Sequence, residues 1–572
     1  MPQPQACRIP LELVDEIFQK LPPQTRHLFK HHKINKDEAH WNRVALARCA
    51  HVCRAFHESA VRVLWKDLEL GAFLEAVLRS LDYGAVKWPE RHQDDWGGGD
   101  ASDDEDNEDV AVGVEPERYL YSYKYLPGPI SAEEWARFTH YAAFVRILRY
   151  APFVESIDPT LFFFLQQHAQ GTPLFPNLHE LVWSNATPEV LAVISPSIRL
   201  LDLTESNDDD YTYAEMREFS YRARRHALKA LLPTILRGAP NLEELRLRTM
   251  GHEVFWFPLQ PAPGDWFFNR NIRVLHISES CRAVMRAALT VISTMKELLE
   301  LGIRLVESGP TYDLEDDDLS DVRTFENLKH LEIWGEATGV ATLVDAIVAP
   351  NLEDVEIIIF TGPEDSDPSM VEAELSTIFK TLPLRNAATL RRLRLSIWCL
   401  CAPLFPSEVS TDPSFSTVAR PLLELRRLQD VCIDQRVRRG ALNVSASALA
   451  AAWPALRALA LPEVIVSPNA LRAIARTCPR LEQLKVKALS PEFHYNPSRL
   501  VVDDSSQPTI TADSHSDLER PALRELCVDI PLKAGFPDTP GNIIRFLNTL
   551  FPQLVIRRPE DLVKYDPTGR GG

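Results

Sequence analysis

Residues 239–248 read APNLEELRLR, and residues 478–487 read CPRLEQLKVK. In both, a proline stands two residues before a leucine, and apolar residues follow that leucine at the third and fifth positions after it. Proline ends a preceding helix and extends the chain. The last two apolar positions alternate with polar ones, which is the period of a strand buried on one face. The same grouping returns as Leu178-Leu181-Trp183, Ile198-Leu201-Leu203, Ile272-Leu275-Ile277, Leu298-Leu301-Ile303 and Leu328-Leu331-Ile333. It continues as Leu352-Val355-Ile357, Leu390-Leu393-Leu395, Leu428-Val431-Ile433, Leu456-Leu459-Leu461 and Leu523-Leu526-Val528. Prolines 176, 196, 240, 350, 454, 479 and 521 hold the same offset.

Between several of these strands lie helix-like stretches. Ser467-Pro468 opens one with an N-cap and a proline at the first helical position; residues 226–238 and 339–349 read the same way. Strand, turn and helix recurring at roughly 20–45 residues is the signature of a solenoid, in which each unit buries its apolar face only against its neighbours. The pattern resembles the leucine-rich repeat. The resemblance implies an α/β solenoid with parallel strands on the concave side and helices on the convex side. Eight positions after the first leucine the family places Asn or Cys; here Ala186, Met250, Ser280 and Glu336 stand there, so the side-chain ladder of regular repeats is expected to be missing. Uneven spacing predicts protruding loops at 204–220, 305–323, 361–370 and 488–518.

The first seventy residues follow another pattern. In residues 8–22, RIPLELVDEIFQKLP, Leu13, Val14, Ile17, Phe18 and Leu21 fall along one helical stripe, closed by Pro22-Pro23. A second helix is expected over 45–65, with Leu46, Cys49, Val52, Cys53, Phe56, Ala60 and Leu64 on one side. Two such helices need a partner surface. Ile9-Pro10-x-Glu12-Leu13, Val52-Cys53-Arg54-x-Phe56 and Leu64-Trp65-Lys66 together resemble the three blocks of an F-box. Residues 23–44 form an insertion that the usual pattern lacks; it either crowds the docking surface or bulges from it. The proline-led repeats look like those of F-box proteins of fungal type.

The resemblance implies a small all-helical F-box domain ahead of the solenoid, docking a Skp-type adaptor and, through it, a cullin–RING ligase. It places Ile9, Pro10, Leu13, Ile17, Phe18, Val52 and Cys53 at the adaptor, with packing inside the F-box as the alternative for each. The chain is then the substrate-recognition subunit of an SCF-type ubiquitin ligase; the alternative is a repeat scaffold with a vestigial F-box. The expected organisation is 1–70 F-box, 71–93 connecting helix, 94–117 acidic linker, 118–174 helical cap, 175–560 solenoid and 561–572 tail.

Composition narrows the classes. The net charge is -18, of which 94–109 supplies nine acidic residues and no basic one. Such a chain is poorly suited to nucleic-acid phosphate or anionic lipid, and suits protein partners. The amino terminus has no signal-peptide pattern and no apolar run approaches ~20 residues. Nine scattered cysteines do not suggest a disulfide framework, so a cytoplasmic or nuclear location is expected and the sequons at Asn185 and Asn443 stay silent.

No phosphate loop, zinc signature or nucleophile elbow is present; no catalytic group, metal or cofactor is expected. Cys49, His51, Cys53 and His57 read as a packed helix face rather than ligands. Strand alternation turns a charge mosaic outward, with His276, Asp354, Glu356, Asp430, Asp434, Glu525 and Asp529 among its members. The target-facing candidates are Arg246, Arg248, His330, Trp334, Arg392, Arg394, Lys485 and Lys487, with the target protein itself unspecified.

Overall fold

The computed structural model describes residues 13, 16–18, 20, 36–86, 121–151, 156–184, 187–203, 231–247, 271–279, 288–305, 322–361, 368–399, 418–437, 451–495, 521–530, 532–534, 539–556 and 563–565. The chain divides into two units, Met1–Arg246 and Leu247–Gly572.

In the first unit, helices α1 (Lys36–Ala50) and α2 (Arg54–Leu64) lead into a parallel ladder of five short strands. These are β1 (Asp67–Glu69), β2 (Ile147–Tyr150), β3 (Glu180–Trp183), β4 (Leu200–Asp202) and β5 (Glu244–Leu247), paired in that order. Leu148, Leu181, Leu201 and Leu245 occupy one register row and are fully buried. Each burial of this kind is worth about 1.5–3 kcal/mol, which sets the register because a slip of one residue would turn the row outward.

The second unit repeats the device nine times. Its strands are β6 (Val274–Glu279), β7 (Glu300–Leu305), β8 (His330–Gly335), β9 (Asp354–Thr361), β10 (Arg392–Cys399), β11 (Asp430–Val437), β12 (Ala458–Val466), β13 (Gln483–Leu489) and β14 (Glu525–Val528). Neighbours pair in parallel and in sequence order throughout. The layer behind the strands is built from helices such as Ala337–Ala346, Pro368–Asn386 and Pro468–Thr477. The last begins as its sequence predicts: the Ser467 hydroxyl accepts from the Ala470 amide at 3.2 Å with Pro468 in the first turn. One strand per repeat, in parallel and in order, is a leucine-rich-repeat solenoid.

A side-chain ladder is present, displaced from the family's usual position. The residue just before the first apolar position donates to the carbonyl two residues before the first apolar position of the preceding repeat. Asn177 does so to Ala143 at 2.9 Å, Ser197 to Pro176 at 2.9 Å and Asn241 to Pro196 at 2.9 Å. Asn327 reaches Lys296 at 2.8 Å, Asn351 reaches Glu326 at 2.7 Å and Arg427 reaches Ala388 at 2.7 Å. The backbone adds its own repeat, two successive amides sharing one carbonyl: Lys329 and His330 on Leu299, Glu353 and Asp354 on Lys329, Arg391 and Arg392 on Glu353. The family's Asn/Cys positions hold other residues, as expected, and these bonds stand elsewhere in the repeat. The braces stand on the polar residue just before the first apolar position, after Pro176, Pro196, Pro240 and Pro350 but also after Glu326 and Arg426, and they supply donors to carbonyls that need them.

The ladder also starts earlier than residue 175. The Lys66 carbonyl accepts from the Arg146 and Ile147 amides, each at 2.9 Å, which is the same shared-carbonyl pattern. Residues 118–174 accordingly contain β2 and the strand Tyr121–Tyr125 beside helices Ala132–Ala142 and Pro159–Ala169. In 71–93 the helix is short, Leu70–Val77, and the strand Asp82–Val86 follows. That strand pairs antiparallel with Tyr121–Tyr125, Val86 opposite Tyr121. The acidic run expected as a linker lies outside the described residues. Within 561–572, Val563–Tyr565 pairs with Leu532–Ala534. The expected protruding loops fall largely outside the described residues.

Candidate functional site

Phe18, Leu46, Ala60 and Val63 form a small core, with Cys49, Ala50, Phe56 and Leu64 packed around it. The Phe18 and Phe56 rings meet edge to face, 5.7 Å between centroids. Phe18 is 5% exposed, so it serves this core and does not face a partner. Ile17 just before it is 55% exposed, and Leu13, more than a turn earlier, is 50% exposed.

The single helix expected over 45–65 is two. α1 closes with amides of His51 and Val52 turning back to Arg48 and Cys49, and Cys53 is extended at φ -160° before α2 starts. This break rotates residues 52 and 53 off the buried stripe. Val52 becomes 67% exposed and Cys53 is exposed, while Leu46 and Ala60 on either side stay buried. Leu13, Ile17 and Val52 are thus exposed apolar side chains that stand outside this core. Ile9 and Pro10 lie outside the described residues.

The third sequence block ties this core to the repeats. Trp65 stacks on Tyr141, centroids 4.2 Å apart, and meets Phe73 edge to face at 5.7 Å. Phe73 continues into Phe138 and Phe175. Nearby, Glu134 accepts from the Ser131 amide and hydroxyl and from the Ser80 amide at 2.8 Å. Burial alone would raise this carboxyl; the Ser131 and Ser80 donors outweigh it and hold it at about 2.

The open faces of the strands carry the other candidates. In the first unit, Arg149 bridges Asp67 and Glu180, and Arg246 bridges Glu244 and Asp202. Burial pushes the Glu180 carboxyl up, against the pull of Arg149. Arg248 lies outside the described residues. In the second unit the candidates are engaged with neighbouring strands. His330 and Arg392 share Asp354, each at 3.3 Å, and Arg394 meets Glu356 at 3.3 Å. Lys485 lies 3.4 Å from Asp529 and Lys487 2.6 Å from Glu463. The mosaic of alternating sign is therefore a set of cross-strand pairs on the sheet's own surface.

Two side chains depart from the outward reading. His276 is 3% exposed: it lies across Gly302, its Nε2 3.0 Å from Glu300 and its Nδ1 3.7 Å from Glu332. A Cβ on Gly302 would sit 2.1 Å from His276 Nδ1, so the glycine makes the space. Trp334 is half-buried. The Arg304 guanidinium sits 3.9 Å over its ring and Trp398 meets it edge to face at 6.3 Å. Trp398 was not among the sequence candidates, although alternation from Arg392 and Arg394 places it on the same face.

Residues 6–70 match the family model described as F-box-like. The F-box-like segment thus takes in the whole of β1, the first strand of the repeat ladder, and ends one residue beyond it. Among curated proteins the chain finds no match. Solved structures similar to it include the TLR13–ssRNA13 complex, with 12% identity over 72% of this chain and 47% of that one, TM-score 0.26. An internalin from Listeria monocytogenes shares 12% identity over 56% of this chain and 78% of its own, TM-score 0.23. The leucine-rich-repeat protein LegL7 from Legionella pneumophila shares 10% over 62% and 86%, TM-score 0.28. The chain spans about half the length of the first of these. No helix among the described residues is long and apolar enough to cross a membrane.

Proposed function

We propose that this protein is the substrate-recognition subunit of an SCF-type ubiquitin ligase. Its F-box-like segment docks a Skp-type adaptor, which a cullin scaffold joins to a RING subunit, and the repeat strands hold a target protein. Such a subunit does no chemistry itself; it raises the effective concentration of a target lysine near the ubiquitin thioester. The observation that supports this reading is the trio Leu13, Ile17 and Val52, exposed above a core centred on Phe18 within the matched residues. On the target side, Arg246, His330, Arg392, Arg394, Lys485 and Lys487 recognise a partner by exchanging their cross-strand pairs for intermolecular ones, with Trp334 and Trp398 as apolar anchors.

The test is co-purification of a Skp-type adaptor with the full chain, wild type against Pro10→Ala/Leu13→Ala. Retention by the wild type and loss by the double variant is the expected outcome. A wild type that retains no adaptor contradicts the ligase role.

A further inference from the structure

We propose that the target is held at the C-terminal ends of β8, β9 and β10, through a segment that carries a bulky apolar side chain close to Lys or Arg; this rests on the target-side reading above. Ile333, Val355, Ile357, Ile359, Leu395 and Ile397 are buried, so the residues between them face outward. The first outward positions of the three strands are His330 and Glu332, Asp354 and Glu356, and Arg392 and Arg394. Further along the same strands the outward face turns apolar. Trp334 stands beside Ile358 in register, Ile358 beside Ser396, and Phe360 beside Trp398. Neighbouring strands lie about 4.8 Å apart, so Trp334, Ile358, Phe360 and Trp398 form one patch. Its two indoles meet edge to face, and Trp398 keeps 36% of its surface exposed. Scattered apolar side chains are ordinary on a surface; a contiguous patch with tryptophans offers a partner an anchor.

Charge indicates the chemistry that fits. The chain leaves the C-terminal ends of β7, β9 and β10 through residues 306–322, 362–367 and 400–417. In sequence these segments contain Asp and Glu, the runs Glu315-Asp316-Asp317-Asp318 and Glu364-Asp365 among them, and neither Lys nor Arg. Beyond β10 the sign reverses, with Arg436 on β11 and Arg438 and Arg439 after it. The patch itself already has a cation as neighbour: the Arg304 guanidinium sits 3.9 Å over the Trp334 ring. A segment that is apolar at its anchor and basic towards β7–β9 complements both features, whereas an acidic one meets like charge there.

Phage display of random linear peptides on the full chain, counter-selected on Trp398→Ala, tests this. Peptides kept by the wild type and lost by the variant are expected to place Trp, Phe, Leu, Ile or Met within about four residues of Lys or Arg. The tightest of them, synthesised with a fluorophore, should bind Trp398→Ala about tenfold more weakly and Trp398→Phe less so. Its affinity for the wild type should fall as salt is raised. Circular dichroism of both variants should match the wild type, since the position is on the surface. Retained peptides that are acidic or uncharged, or that bind Trp398→Ala like the wild type, overturn the inference. A selection that keeps nothing above a control protein overturns it too. If the same chain retains a Skp-type adaptor in any of these cases, the ligase reading stands without it. Selection of basic, apolar peptides by a chain that retains no adaptor would overturn the ligase reading and leave this surface in place.

Discussion

The Trp65 indole lies flat on the Tyr141 ring, 4.2 Å between centroids with 21° between planes. One residue later, the Lys66 carbonyl takes the two amides that open β2. The last block of the F-box-like segment is therefore also the first rung of the repeat ladder. Trp65→Ala is expected to cost about 2–4 kcal/mol, through lost area and lost ring contact. Urea unfolding followed at the first unit would show it; a cost below about 1 kcal/mol would mean the stack does not join the two parts.

Gly302→Ala places a methyl where His276 lies. The expected cost is about 1–3 kcal/mol from displacing a buried ring held between Glu300 and Glu332. His276→Ala should relieve that clash, so the double variant is less destabilised than the two single costs summed. Additive costs in a double-mutant cycle would contradict the packing described.

The displaced ladder predicts a local effect. Asn351→Ala removes the brace on the Glu326 carbonyl. About 1 kcal/mol is expected, read as roughly fivefold faster hydrogen exchange at β8 and β9 with distant strands unchanged. Uniformly faster exchange, or none, would argue against neighbour-to-neighbour bracing.

Glu134 links the fold to acid. Its folded carboxyl sits at about 2, below the 4.5 of an unhindered group, so its stabilisation is complete above about 4.5. It is lost as pH falls from there towards 2. Glu134→Gln should cost about 1–3 kcal/mol at neutral pH, with the gap to wild type narrowing through that window. A gap that stays constant from pH 6 to pH 3 would rule out the carboxylate's role.

Much of this was legible in the residues. The spacing of Leu242, Leu245 and Leu247 and its eleven counterparts identified the strands because a buried strand row tolerates only apolar side chains. Helix breaks are harder to read: nothing in the spacing marks Cys53 as extended, so the periodicity places Val52 and Cys53 on a stripe that the fold takes them off. Strand alternation places His276 outward because the period fixes only the face. Whether a side chain there lies down depends on a neighbour from another repeat, here Gly302. The ladder of Asn177, Asn241, Asn327 and Asn351 was visible as Pro-Asn-Leu and Glu-Asn-Leu, but its role needed the preceding repeat's carbonyl in view.

The most direct test of the central claim is alkylation of Cys53 in the full chain, with and without a saturating purified Skp-type adaptor, followed by peptide mass spectrometry. Cys53 is exposed beside Val52, and Cys527 on β14 is exposed as well. The adaptor should slow modification of Cys53 strongly and leave the rate at Cys527 unchanged. An unchanged rate at Cys53 would contradict docking through this surface.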